Sequence, residues 1–288
     1  MRKILVFCSI ILEIFVCNAQ RSNQQIPILV TEINLNDANV IRYKYDGNKL
    51  VQTEDRNSKS IYTYNGNFIV QIKDYKDEEL VRTTDFTYNK SGNLETIDVS
   101  GRDEYVGPNI PYKDNYTFVY PTSTTVVSTK IRIYTLSEEE KDGNEEINLL
   151  LKQEKEQDIQ KDVTTYTLKN GNIIYQNELF YYENVLDSDQ AQKTIYDQRN
   201  NPFVNILGYD KIRIYLIEAY DELMSGKNNI ISYENFREHI PIKEYGSSKK
   251  FAIIYNNYGF PVKITSNLFN RDGILAEKDV LIYSYNNQ

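Results

Sequence analysis

Tyr88-Asn89-Lys90-Ser91-Gly92-Asn93-Leu94-Glu95-Thr96-Ile97 sets an Asn directly after a Tyr, a Gly four residues after it, and apolar residues six and nine residues after it. Tyr255-Asn256-Asn257-Tyr258-Gly259-Phe260-Pro261-Val262-Lys263-Ile264 repeats that spacing at every one of these positions. An aromatic strand end followed by Asn and then Gly is the chemistry of a hairpin loop closed by a left-handed residue. In Tyr196-Asp197-Gln198-Arg199-Asn200-Asn201-Pro202 the Gly position is taken by Asn200, the side chain that best tolerates positive φ. A shorter variant occurs in Tyr43-Lys44-Tyr45-Asp46-Gly47-Asn48-Lys49-Leu50 and in Tyr62-Thr63-Tyr64-Asn65-Gly66-Asn67-Phe68-Ile69. Their Asp-Gly and Asn-Gly pairs are preferred centres of two-residue type I′ turns. Tyr166-Thr167-Leu168-Lys169-Asn170-Gly171-Asn172-Ile173 is a looser relative, and Arg271-Asp272-Gly273 reads as a further turn between 267–270 and 274–278.

The flanks of these turns alternate. Tyr43/Tyr45, Tyr62/Tyr64, Phe86/Tyr88, Tyr116/Phe118/Tyr120, Ile131/Ile133, Ile253/Tyr255 and Leu281/Tyr283/Tyr285 fall on one face. Arg42, Lys44, Thr63, Thr87, Arg132 and Ser284 fall on the other, so each strand is expected to have a packed and a wet face. Together they predict an all-β chain, an antiparallel hairpin meander forming a twisted sheet. Between Asp210 and Gly226 the period changes: Ile212, Leu216, Ala219 and Leu223 recur at helical spacing. This predicts a helical insertion over 210–224, capped by Asp210, ended by Gly226, and laid over a sheet face or edge. The β-branched residues of Lys211–Ala219 leave a strand as the alternative. No Pro/Gly/Ser linker divides the chain, so residues 20–288 read as a single β domain.

The unit Tyr-[Asp/Asn]-x-x-Gly-x-[Leu/Pro], clearest at 88–97 and 255–264, resembles the YD repeat of bacterial Rhs-type proteins. The chain beyond its leader is also similar to exported proteins of Gram-negative bacteria that carry degenerate YD-like hairpins and an Asn-Pro-Phe turn, here Asn201-Pro202-Phe203. That group has no assigned activity. The resemblance implies an antiparallel sheet and a cell-envelope setting, and it carries no catalytic residues across. The units here are fewer and less evenly spaced than in Rhs proteins.

Arg2 and Lys3 precede an apolar run from Ile4 to Val16, followed by Cys17-Asn18-Ala19-Gln20. This is the pattern of a secretory signal peptide over residues 1–19, although Glu13 interrupts the run. Lipid anchoring at Cys17 is the rival and is disfavoured by Val16, since such sites want a small residue before the Cys. Cleavage after Ala19 removes Arg2, Lys3 and Glu13, taking the formal charge from −8 to −9. It also removes both cysteines, Cys8 and Cys17, which leaves no thiol for a disulfide, a nucleophile or a metal.

Composition narrows the chemistry. With 33 Lys plus Arg against 41 Asp plus Glu, the chain lacks the basic excess that nucleic acid demands. His239 is the single histidine, no Gly-x-Ser-x-Gly pattern occurs, and zinc sites of the His/Cys kind lack ligands. A calcium loop around Asn270-Arg271-Asp272-Gly273 would have to start at Leu268 and end at Asp279, which fails. The acidic stretch Ser137–Glu146 reads as a solvated loop protruding near 138–146. The 25 tyrosines, with no Trp, fit the cover of a half-buried sheet, with sugar stacking as the rival use. Lys73, Asp74, Lys76 and Asp77 argue against the apolar band of an outer-membrane barrel.

The expectation is therefore an exported, non-enzymatic protein of the cell envelope or surface, periplasmic, surface-held or secreted. It would bind or scaffold an unknown protein or glycan through a Tyr-rich sheet, with no nucleic acid, no membrane span, no cofactor, no metal and no catalytic residue; ligand-binding residues stay unassigned. The alternative is a glycan-binding or glycan-cleaving protein. A concave pocket bringing Tyr and carboxylate together would favour the alternative. An open sheet edge would favour a protein partner by strand addition.

Overall fold

The computed structural model describes residues 26–103, 110–134, 160–182, 185–219, 226–238 and 246–286. The leader with Cys8 and Cys17, the acidic loop near 138–146 and His239 lie outside the described residues. Sixteen strands follow one another: β1 (Val30–Leu35), β2 (Asn39–Asp46), β3 (Lys49–Glu54), β4 (Ser58–Asn65), β5 (Phe68–Lys76), β6 (Glu79–Tyr88), β7 (Leu94–Asp103), β8 (Ile110–Thr122), β9 (Thr125–Tyr134), β10 (Gln160–Lys169), β11 (Asn172–Tyr182), β12 (Val185–Asn200), β13 (Asn228–Phe236), β14 (Ser247–Tyr255), β15 (Pro261–Phe269) and β16 (Leu275–Tyr285). Every neighbour in sequence is a neighbour in the sheet, and β1 pairs with β16, so the sheet is a closed antiparallel barrel.

Closure corrects the open, twisted meander expected from the hairpins. The local reading cannot see it, because an open and a closed sheet use the same turns and the same alternation. What closes the barrel is the match of its ends: Ile33 and Leu35 stand opposite Tyr283 and Leu281, continuing the apolar face across the seam. Among the described strands no edge is left to pair with another chain.

Six of the tight turns, those after β2, β4, β6, β8, β10 and β14, lie at one end with the described chain ends (the tight-turn end), and those after β1, β3, β5 and β15 lie at the other. In three of the turns the wiring is identical. The side-chain oxygen of Asn89 accepts from the amides of Ser91 and Asn93, that of Asn256 from Tyr258 and Phe260, and that of Asn270 from Asp272 and Ile274. Gly92, Gly259 and Gly273 complete these turns at φ of 74°, 79° and 74°. The tyrosines before the turns form a ring of ties between strands. Tyr45 donates to Val30 O, Tyr88 to Ile69 O, Tyr120 to Leu94 O, Tyr196 to Ile173 O and Tyr285 to Pro261 O, all within 2.6–2.9 Å. Each tie runs from the end of an even-numbered strand to the start of the strand before it. The repeated Tyr-turn unit thus belongs to consecutive hairpins of one barrel, and the reading as YD-repeat units of an Rhs-like protein is corrected.

Between β12 and β13 the chain turns into the barrel. After Asn201-Pro202-Phe203 it forms α1 (Tyr209–Ala219), inside the lumen and not over a sheet face or edge. Its contacts reach strands on several sides. Phe203 packs on Tyr43 with ring centroids 5.9 Å apart, and Tyr215 meets Phe86 at 5.4 Å and Tyr116 at 6.2 Å. Leu207 N donates to Asn48 O, and Arg213 donates to Gly171 O. Phe203, Ile206, Tyr209, Ile212, Tyr215 and Leu216 are buried against the inner wall, which makes 201–219 a plug at the tight-turn end. Helical spacing is therefore a signal for packing on several faces here.

Gly208 is where the plug approaches the wall most closely. It sits at φ 74°, and a Cβ there would lie 2.6 Å from Asn67 O. Gly47 has a similar φ of 63° but open space around it. Gly208→Ala is expected to lower stability by roughly 3 kcal/mol and Gly47→Ala by about 1 kcal/mol, the difference being the backbone clash. Urea midpoints of the two variants check this; equal losses would mean that the plug shifts freely.

Candidate functional site

Residues directly opposite each other on paired strands share a face. Tyr116 touches the plug, so its partner Lys130 faces the lumen, as do Asp162 opposite Lys130 and Phe180 opposite Asp162. The same reasoning turns Thr84 inward, where its hydroxyl lies 2.9 Å from that of Tyr215. Following the strands away from the plug brings charge onto the inner wall: Asp74 with Arg82, and Asp114 with Arg132. Asp74, Asp114 and Asp162 are 8%, 4% and 5% exposed.

These carboxylates are held by geometry that suits a low-dielectric interior. Arg132 forks onto Asp114, Nε to Oδ1 at 2.7 Å and Nη2 to Oδ2 at 2.8 Å. Its guanidinium also lies 4.5 Å from the Tyr112 ring centroid. Arg82 Nε donates to Asp74 Oδ2 at 2.7 Å while Ser60 donates to Oδ1 at 2.6 Å. Lys130 Nζ stands 3.4 Å from Asp162 Oδ2. Breaking a buried pair leaves the surviving charge stranded, so these residues are committed to one arrangement.

The expected assignment of faces fails on β9. Arg132 was expected on the wet face and Ile131/Ile133 on the packed one; the structure reverses them, with Ile133 54% exposed and Arg132 paired inside. Alternation is correct there, but apolarity is a poor guide to which side is enclosed when a lumen holds ion pairs. Lys130, Asp162, Asp114 and Arg82 were missed for the same reason. The signal that would have found them is opposite charge on facing positions of adjacent strands.

Against this wall lies a chamber of about 340 Å³, lined by Tyr43, Tyr62, Asp74, Arg82 and Tyr209. Its size falls in the range of small-molecule sites, roughly 300–1,000 Å³. Tyr209, on the plug, is its floor. Burial pushes the Tyr62 hydroxyl well above the ordinary tyrosine value, and burial likewise pushes Tyr215 up to about 12. Both therefore remain neutral donors at any physiological pH. The rim carries Glu54, paired with Lys44 at 2.8 Å, and Lys59, paired with Glu78 at 2.8 Å. A separate cavity of about 490 Å³ opens on the tight-turn side of α1, lined by Tyr120, Leu168, Asp210, Lys211 and Arg213 among others. No cluster of three or more His, Cys, Asp or Glu side chains poised to hold a metal occurs among the described residues.

Neither a protein-family model nor a curated protein matches the chain. Among solved structures, a porin-like protein from Bacteroides vulgatus is 15% identical over 90% of this chain and 100% of its own, with a TM-score of 0.54. A porin-like protein from Bacteroides uniformis is 12% identical over 89% of this chain and 98% of its own, with a TM-score of 0.44. The first likeness is one of fold, and it overturns the YD-repeat resemblance: the chain is similar to a porin-like closed barrel.

Proposed function

We propose that this chain is an exported, non-enzymatic binding protein whose barrel stands in water and holds a small polar ligand in its lumen. The observation that carries the reading is the chamber in which Tyr43, Tyr62 and Tyr209 meet the Asp74–Arg82 pair. Aromatic faces for stacking beside a carboxylate and a guanidinium form a site for a sugar or another small polar molecule. Strand addition loses its support, because both sheet ends are paired with each other. The plug fills the tight-turn end of the lumen, which counts against an open channel.

The outer surface supports a water-surrounded barrel. No helix among the described residues is long and apolar enough to cross a membrane, which leaves the strands to consider. Arg42 and Lys44 on β2, Asp85 on β6, Asp98 on β7, Lys193 on β12 and Lys250 on β14 all point outward and are exposed. A Lys or Arg at the bilayer midplane on a lipid face costs about 2–4 kcal/mol. β1 and β3 have 6 residues each, where a spanning strand needs roughly 9–11. These features favour the periplasm, the cell surface or the medium over residence within the outer membrane.

Residues 20–288 are expected to be soluble and monodisperse without detergent. A protein recovered only in micelles would sink the water-surrounded reading. A thermal-shift panel of sugars, amino acids and nucleosides tests the chamber: a ligand at ~100 times its Kd adds about 2.7 kcal/mol. Asp74→Ala and Tyr62→Ala should abolish that shift. A ligand whose shift survives both substitutions binds elsewhere, and the chamber is then not the site.

A further inference from the structure

Arg213 projects from α1 on the tight-turn side of the plug, away from the wall of paired charges. Among the described residues its guanidinium has two hydrogen-bond partners, both neutral: Nε donates to Asp210 O at 3.1 Å and Nη1 to Gly171 O. Among the described residues no carboxylate lies within ion-pair range of it, unlike Arg82 and Arg132 on the lumen wall. Two cavities meet at this side chain. One, of about 490 Å³, includes Thr122, Ser123 and Lys211 in its lining. The other, of about 210 Å³, is bounded by Phe203, Tyr209 and Lys227.

Among the described residues, charge on these walls is unbalanced. Asp210 lines both cavities, but its carboxylate is paired with Lys211 at 3.3 Å. Arg213 keeps only the charge of Asp210, which Asp210 shares with Lys211, and Lys227 adds a second positive charge beside Gly171. A guanidinium taken from water with its counter-charge already shared costs free energy, and burial holds the Arg213 pKa below its ordinary value against the opposing pull of Asp210. Its flat fork matches the two oxygens of a carboxylate or phosphate, and the Ser123 hydroxyl stands on the same cavity wall.

We propose that the tight-turn end of the barrel is an anion site, in which Arg213 forks onto the oxygens of a carboxylate or phosphate group held between the plug and the hairpin turns. It is separate from the lumen chamber: Tyr209 is the wall that the chamber shares with the smaller cavity, and no carboxylate–guanidinium pair of the chamber takes part.

The test is a thermal-shift and calorimetric titration with sodium phosphate and sodium acetate at ionic strength held constant with sodium chloride. Wild-type protein is expected to show a saturable shift with at least one of the two, and the one that acts tells phosphate from carboxylate. Arg213→Gln should weaken that anion tenfold or more, about the worth of one charge-assisted hydrogen bond. Arg213→Lys, which keeps the charge and loses the fork, should weaken it as well and guards against a glutamine variant that does not fold. General stabilisation by excluded salt acts on all variants alike, so the difference between them reads the site. Equal shifts in wild type and both variants, or no saturable shift in wild type with either anion, would overturn the proposal. Tyr62→Ala, which addresses the chamber and frees no charge, should leave the anion response unchanged.

Discussion

Joining Asn200 to Asn228 through a two-residue turn, which deletes the plug, is expected to unfold the barrel and not to open a channel. Phe203, Ile206, Tyr209, Ile212, Ile214, Tyr215 and Leu216 are buried in the lumen, the last two at 2% and 0% exposure. Fully burying side chains of this size stabilises by about 1.5–3 kcal/mol each. Their sum, on the order of 10–20 kcal/mol, matches or exceeds the 5–15 kcal/mol by which proteins are stable at all. The wall they leave is no better placed alone: Tyr43, Ile69, Ile72, Phe86, Ile97 and Tyr116 form one cluster with the plug. A water-filled porin lumen is polar, and this one is not at the level of the plug. The graded version is Leu216→Ala, expected to cost roughly 2–5 kcal/mol. Circular dichroism and urea unfolding check both; a deletion variant with a wild-type melting curve would mean that the barrel stands without its plug.

Alkali is expected to unfold the protein cooperatively above pH ~10, the ordinary tyrosine value. Burial is the main cause that raises Tyr45, Tyr62, Tyr64, Tyr88, Tyr120, Tyr175, Tyr215, Tyr255 and Tyr285 above it. The folded state favours the neutral phenol, so these groups contribute stability that is fully present below the unfolded value near 10. It is lost as pH climbs from there through the raised folded values, because the unfolded chain ionises first. Tyr215, 2% exposed, rises to about 12. At ~1.4 kcal/mol per pKa unit it alone contributes about 3 kcal/mol below that window. The ring tyrosines add a second reason, since each donates its proton to a backbone carbonyl that a phenolate would repel. Tyrosinate absorbance and far-UV circular dichroism followed together give the test. Coincident transitions are expected; full ionisation with the β signal intact would contradict the enclosure of these rings.

The local chemistry was legible in the sequence because it is local. Asn89, Asn256 and Gly92 place their turns by side-chain-to-amide bonds and a positive φ, which depend on four or five consecutive residues. Alternation of Tyr62/Tyr64 and Tyr283/Tyr285 follows from the two-residue period of any strand. The helix announced itself by Ile212, Leu216 and Ala219. None of these says what lies opposite. Closure rests on Ile33 meeting Tyr283, residues 250 positions apart in the chain. Whether β9 turns Arg132 or Ile133 inward depends on Asp114 across the ladder. The chamber needs Tyr43, Tyr62 and Asp74 from the wall and Tyr209 from the plug, brought together by curvature that no single hairpin encodes. Turns, strands and the helix were therefore determined by the sequence itself, through short-range hydrogen bonding and periodicity. The closed barrel, the enclosed face and both cavities flanking Tyr209 were decided by tertiary structure, because each depends on partners whose distance along the chain carries no local signal.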